Sequence, residues 1–195
     1  MLLDEAGVIS TASSILRNLL TSIPTFWGET ELLLVIELYL DGSHASAPGG
    51  VDLSLLVKTV AKRASPNVLL PTLSNMWSRI QAQPAKFMAF IQVAKISVKA
   101  ASRPAVLENL RELFKSFLSM FDVCATIETQ EVSLIRTVVW SGLTHDKVES
   151  ALINAFVEVV VKLNETAFRP IFRKMFDWAF ASGMWCVLPF GDRHH

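Results

Sequence analysis

"NETAFRPIFRKMFDWAF", residues 164–180, has the residue spacing of one strongly amphipathic helix. Its apolar residues recur at offsets of three and four, which places them on one helical face. They are Phe168, Ile171, Phe172, Met175, Phe176 and Ala179. Such a face can serve a membrane, a small-molecule pocket, a partner protein or the next helix of the same chain. The rest of the sequence favours the last of these.

The composition is that of a chain with a sizeable core and no overall charge. Of its 195 residues, 51% are hydrophobic and 18% are charged, which is enough apolar material for one packed domain or helical array. Eighteen basic residues balance eighteen acidic ones, so any nucleic-acid contact would need a local basic patch. The longest apolar runs, 31–40 and 154–163, contain charges and fall short of the ~20 apolar residues of a membrane span. We therefore expect no membrane partner.

Helical periodicity continues along the whole chain, and alternation typical of strands is nearly absent. The pattern predicts an all-α fold of about nine helices. Their expected spans are 4–21, 29–40, 51–63, 66–82, 84–101, 104–121, 128–141, 145–163 and 166–181. The glycine-rich stretch 41–50 is predicted to be a flexible loop. The tail 181–195 is atypical, because it has no clear amphipathic pattern.

A weak internal repeat relates residues 55–77 to residues 157–176. Each copy reads as an apolar helix, a basic residue, a polar turn, an apolar-x-Pro-apolar element and a closing aromatic residue. Leu69, Pro71 and Trp77 of the first copy correspond to Phe168, Pro170 and Phe176 of the second. Repeated helix pairs of this kind predict an α-solenoid of antiparallel HEAT-like pairs, with 1–195 as a single segment. In it, the face of 168–179 would pack on helix 145–163.

The segment "LNETAFRPIFRKMFDWA" (163–179) resembles the C-terminal domain signature of a known family. This is the large HEAT-repeat subunit of the small-subunit processome, the U3 small nucleolar RNA-associated protein 10 family. Residues 23–40, 61–77 and 109–122 also resemble later segments of that family, so the resemblance covers roughly residues 14 to 180. Family members are far longer, which implies that this chain is a fragment of a larger solenoid.

The resemblance implies a non-catalytic scaffold in the nucleolus that acts in early maturation of small-subunit ribosomal RNA. Its expected partners are other processome proteins, with pre-ribosomal RNA and U3 small nucleolar RNA as further candidates. The alternative is a general α-solenoid adaptor for transport or trafficking that binds protein motifs in its groove.

Residue patterns for catalysis, metals and cofactors were not found in the sequence. The four histidines, His44, His145, His194 and His195, do not have the spacing of metal ligands on a helix. Cys124 and Cys186 lie far apart, which favours free thiols over a zinc site or disulfide framework. No nucleophile elbow, phosphate-binding loop or dinucleotide motif occurs. We expect no enzymatic activity, no cofactor and no small-molecule substrate.

Basic residues supply the candidate surface for RNA or a protein partner. Guanidinium and ammonium groups spaced one helical turn apart can follow phosphates, although a solvated helix face has the same pattern. The candidates are Lys95, Lys99, Arg103, Arg169, Arg173 and Lys174, with a further group at Lys58, Lys62 and Arg63. The tryptophans could stack on bases if they were exposed, but their apolar surroundings favour the core.

Overall fold

The computed structural model describes residues 5–42, 50–132 and 144–181, and these residues form nine α-helices, one short 3-10 turn and no strand. The predicted all-α fold is therefore confirmed. The elements are α1 (Glu5–Ser22), the 3-10 turn (Pro24–Phe26), α2 (Glu29–Gly42), α3 (Gly50–Arg63), α4 (Pro66–Ile80), α5 (Pro84–Ala100), α6 (Arg103–Glu108), α7 (Leu110–Val132), α8 (His145–Val160) and α9 (Glu165–Ala181). The predicted loop 41–50 falls mostly on 43–49, and the tail on 182–195, which lie outside the described residues.

The helix boundary predicted between residues 121 and 128 was wrong. The helix is interrupted earlier, at Asn109, between α6 and α7. Asn109 has φ −97° and ψ 7°, and its side-chain amide donates to the carbonyl of Ala105 at 2.9 Å. An asparagine side chain that bonds a nearby carbonyl in this way competes with helix geometry. After this break α7 runs without interruption to Val132, and the rest of the predicted helix 128–141 lies outside the described residues.

The helices of residues 1–162, the first of two compact units, form two layers. In layer A, α1 contacts α3, α3 contacts α5, and α5 contacts α8. In layer B, α2 contacts α4 and α4 contacts α7, with the short α6 beside α4 and α7. The pairs α2–α3, α4–α5 and α7–α8 join the layers. The link before α4 has two residues and the link after it has three. Links this short make consecutive helices antiparallel, as they are in HEAT-like pairs.

Aromatic side chains fill the space between the layers. Trp77 of α4 packs on Phe87 and Phe90 of α5, with ring centroids 5.3 Å and 5.6 Å apart. Phe156 of α8 meets three phenylalanines of α7, the nearest being Phe117 at 5.5 Å. Burying one such side chain fully contributes about 1.5–3 kcal/mol. These contacts explain why α5, which touches helices of both layers, is apolar on most of its surface.

The second unit, residues 163–195, contains α9. Asn164 caps this helix, because its Oδ1 accepts a hydrogen bond from the backbone N–H of Ala167 at 2.8 Å. Pro170 lies five residues after the first residue of α9, as Pro71 does in α4. The two segments related by the internal repeat therefore place their helix starts and prolines in the same register. The predicted packing of 168–179 on 145–163 stays a prediction.

A candidate basic interface at one edge of the helical array

The ends of several helices meet at one edge of the first unit. The ammonium group of Lys162, just after α8, donates to the carbonyls of Lys99 and Ala101 at 3.1 Å and 2.9 Å, which places the end of α8 beside the end of α5. At the start of α4, the amide of Asn67 donates to the carboxylate of Glu108 at the end of α6, at 2.9 Å. The turns after α3, α5 and α8 therefore share this edge.

Basic residues are concentrated in the segments that form this edge. Residues 58–67, 95–111 and 158–162 hold eight basic and two acidic residues, whereas the rest of the chain holds ten and sixteen. The zero net charge of the whole sequence thus conceals a local excess of positive charge. This excess makes the electrostatic potential at the edge positive and attracts anions. We call these eight residues the basic edge: Lys58, Lys62, Arg63, Lys95, Lys99, Arg103, Arg111 and Lys162.

Three of the six candidates predicted from the sequence, Lys95, Lys99 and Arg103, lie in the basic edge. Lys95 is half-buried, and Arg103 is exposed at the first residue of α6. The ammonium group of Lys99 lies 3.8 Å from a carboxylate oxygen of Glu158, and its side chain remains 70% exposed. The same edge also takes in the group of lysines and arginine at the end of α3.

The other three candidates, Arg169, Arg173 and Lys174, belong to α9 in the second unit and are exposed there. Arg169 forms an ion pair with Glu165 one turn earlier. Exposed pairs of this type contribute little to stability and are screened by salt. Arg169 can therefore exchange this partner for another anion at small cost.

Sequence reasoning missed two members of the basic edge, Arg111 and Lys162. Lys162 was visible only as one basic residue inside an apolar helix end, and its role depends on the carbonyls of a helix 61 and 63 residues away. Arg111 had no local signal, because the predicted helix 104–121 placed it in a helix interior, whereas the break at Asn109 places it in the first turn of α7.

Helix dipoles explain some of these cations and not others. Lys62, Arg63 and Lys99 stand in last turns, where a cation is stabilised by the negative end of the dipole. Arg103 and Arg111 stand in first turns, where the dipole disfavours them. Neither is buried, so packing in the core does not account for their position.

Other features of the described residues offer little chemistry. No cluster of three or more metal-ligating side chains occurs among them, and none of their helices is long and apolar enough to cross a membrane. Burial raises the pKa of Tyr39 above its ordinary value of 10.0. Trp27 and Trp77 are buried, which excludes them from stacking on bases, while Trp140 and Trp185 lie outside the described residues.

Residues 105–185 match the family described as the BP28CT (NUC211) domain. Residues 105–185 therefore resemble a BP28CT domain. This domain begins inside α6 and extends past α9, so it contains Arg111 and Lys162 of the basic edge and all three candidates of α9. It also contains the segment 163–179, on which the resemblance seen in the sequence rests, and that resemblance is confirmed.

Outside the BP28CT domain the similarity continues at low identity. Human HEAT repeat-containing protein 1 is 24% identical over 184 residues, which are 91% of this chain and 8% of the relative. The U3 small nucleolar RNA-associated protein 10 of Neosartorya fischeri is 27% identical over 124 residues, 63% of this chain and 7% of the relative. The chain is thus a distant homologue of the C-terminal region of these proteins and spans less than a tenth of their length. No solved structure matches it significantly.

Proposed function

We propose that this chain is a non-catalytic scaffold segment of the small-subunit processome and acts in ribosome biogenesis in the nucleolus. The observation that carries the proposal is the BP28CT domain, together with homology to proteins named for their association with U3 small nucleolar RNA. The chain would be one stretch of a longer HEAT solenoid. Its partners would be other processome proteins, and pre-ribosomal or U3 RNA.

The two-layer array supports a scaffold role on physical grounds. Stacked helix pairs contact only their neighbours and so build extended surfaces without a deep central site. Binding on such surfaces depends on a few groups held in fixed positions. At the basic edge, the hydrogen bonds from Lys162 to two carbonyls fix such positions, because they hold the end of α8 against the end of α5.

The basic edge is the surface that we assign to RNA. Phosphate contacts by Lys and Arg release counterions, so binding weakens as salt is added. In a plot of log binding constant against log salt concentration, each phosphate contacted on a single strand contributes a slope of about −0.7. Lys99 and Lys162 are already engaged with Glu158 and with carbonyls. The arginines of the two first turns, Arg103 and Arg111, are therefore the contacts to test.

The direct test is the salt dependence of binding to a fluorescently labelled single-stranded RNA, measured by anisotropy. Charge reversal of Arg103 and Arg111 together should weaken binding. It should also reduce the magnitude of the salt-dependence slope by about 1.4, the contribution of two phosphate contacts. The matched control is Lys147→Glu, which reverses a cation in the first turn of α8. That position is about 22 Å along the helix from Lys162. Equal losses in the double variant and the control would refute the assignment of RNA to this edge.

The cellular role is tested by crosslinking the intact parent protein and sequencing the RNA that it retains. Pre-ribosomal RNA and processome subunits, with crosslinked peptides at the basic edge, are expected. Cytoplasmic cargo without ribosomal RNA, in complexes insensitive to nuclease, would refute the proposal and favour the general adaptor.

A further inference from the structure

A polar groove runs along the contact between α4 and α7 in layer B, close to the start of α2. Its volume is about 610 Å³, within the ~300–1,000 Å³ of typical ligand pockets. Four serines contribute to its walls, and such small side chains leave room for another chain between the helices. The groove is lined by Glu29, Ser74, Asn75, Trp77, Ser78, Arg79, Gln81, Glu112, Lys115, Ser116 and Ser119.

Two polar atoms of the groove's α4 wall are buried without a hydrogen-bond partner. They are the indole Nε1 of Trp77 and the hydroxyl of Ser74. Trp77 is only 4% exposed, and its ring is held by Phe87 and Phe90. Residues three apart share a helical face, so both side chains belong to the same wall of the groove. Buried polar groups nearly always have partners, and this pair is suited to an incoming acceptor and donor.

The groove's length and charge restrict what can bind there. Its walls run from Ser74 to Gln81 and from Glu112 to Ser119, about 10 Å of helix on each side. That length matches about three residues of extended chain. Two acids oppose two bases in the lining, and Arg79 lies 3.9 Å from a carboxylate oxygen of Glu37. With Arg79 engaged by Glu37, the carboxylates of Glu29 and Glu112 face one further base, Lys115, so the lining favours a cation over the phosphates of RNA.

We propose that the groove binds an extended peptide segment of a partner protein that carries a basic side chain. A main-chain carbonyl of the peptide accepts a hydrogen bond from the indole N–H of Trp77, and a main-chain N–H donates to the hydroxyl of Ser74. The basic side chain lies against Glu29 and Glu112, the two carboxylates of the lining. The groove shares no residue with the basic edge, although Arg111 directly precedes Glu112, and the proposal does not depend on the proposed processome role.

The test selects seven-residue peptides from a random display library on the 195-residue chain. Selected peptides should contain Lys or Arg, and their binding should weaken about tenfold or more with Glu112→Arg. Asp146→Arg is the matched control, because Asp146 is also an exposed acid in the first turn of a helix. Circular dichroism of both variants checks that the fold is retained.

A second readout follows the indole N–H of Trp77 by NMR, with the nitrogen labelled in tryptophan. Titration with a selected peptide should shift that resonance more than the other indole resonances. Peptides that bind equally well to both charge variants, or that leave the Trp77 resonance unchanged, would overturn the proposal. So would RNA that competes for the same resonance, since the groove would then bind phosphates.

Discussion

Replacement of Phe90 by alanine should test the packing between the two layers most directly. Phe90 is fully buried in α5, and its ring lies 5.6 Å from that of Trp77 in α4. Removing a buried phenylalanine side chain costs about 3–5 kcal/mol, from lost transfer free energy and the cavity that remains. For a domain of this size each kcal/mol lowers the melting temperature by about 2–4 °C, so the fall should be about 6–20 °C.

Thermal unfolding followed by circular dichroism measures this fall, and Phe26→Ala is the matched control. Phe26 is 66% exposed, although its ring also neighbours a tryptophan, Trp27, at 6.4 Å. Its replacement should change stability by no more than about 0.5 kcal/mol. A melting temperature of the Phe90 variant equal to that of the Phe26 variant would refute the described packing of α4 on α5.

Two further predictions concern single polar groups. Lys162→Met removes the two hydrogen bonds to the end of α5 and should lower the free energy of unfolding by about 1 kcal/mol. Amide hydrogen exchange in the last turn of α5 should become faster, and unchanged exchange would contradict the contact. Tyr39 is the only tyrosine, so ultraviolet absorbance of its phenolate reads its pKa directly, and the midpoint should lie above 10.0 in the folded chain and return to 10.0 in denaturant. Because burial raises this pKa, the neutral phenol favours the folded state, and its contribution is complete below pH 10.0 and is lost as pH rises through the folded pKa. Tyr39→Phe should remove that pH dependence, and a midpoint of 10.0 in the folded chain would refute the burial argument.

Local signals in the sequence were sufficient to predict most helices. Apolar spacing gave the helical segments, and Pro66 and Pro84 stand at the first residue of α4 and α5, where a missing N–H costs nothing. The break at Asn109 was not predicted, because it depends on one side chain bonding a carbonyl four residues earlier. Asparagine occurs within many helices without this effect.

The candidate site was only partly predictable, because it is assembled from segments distant in the chain. The basic groups of α3 and α5 were each visible as residues one turn apart. That they share one edge depends on the order of helices in layer A, which no local pattern encodes. Arg111 is exposed at the start of α7 in layer B, and because the break at Asn109 was not predicted, the sequence showed it only as an arginine inside a helix.

The layered order of the first unit also affects how the chain folds during synthesis. Each layer A helix after α1 packs on the preceding member of its layer, and the main contacts of α1 are with α3, which is synthesised soon after it. Contacts between near neighbours carry a small loop-closure cost, and they favour rapid folding. Once α3 has been made, α1 already has its main packing partner, and each later pair docks on a surface that is complete. A very long protein built in this way would bury its apolar faces step by step, which limits aggregation before synthesis ends.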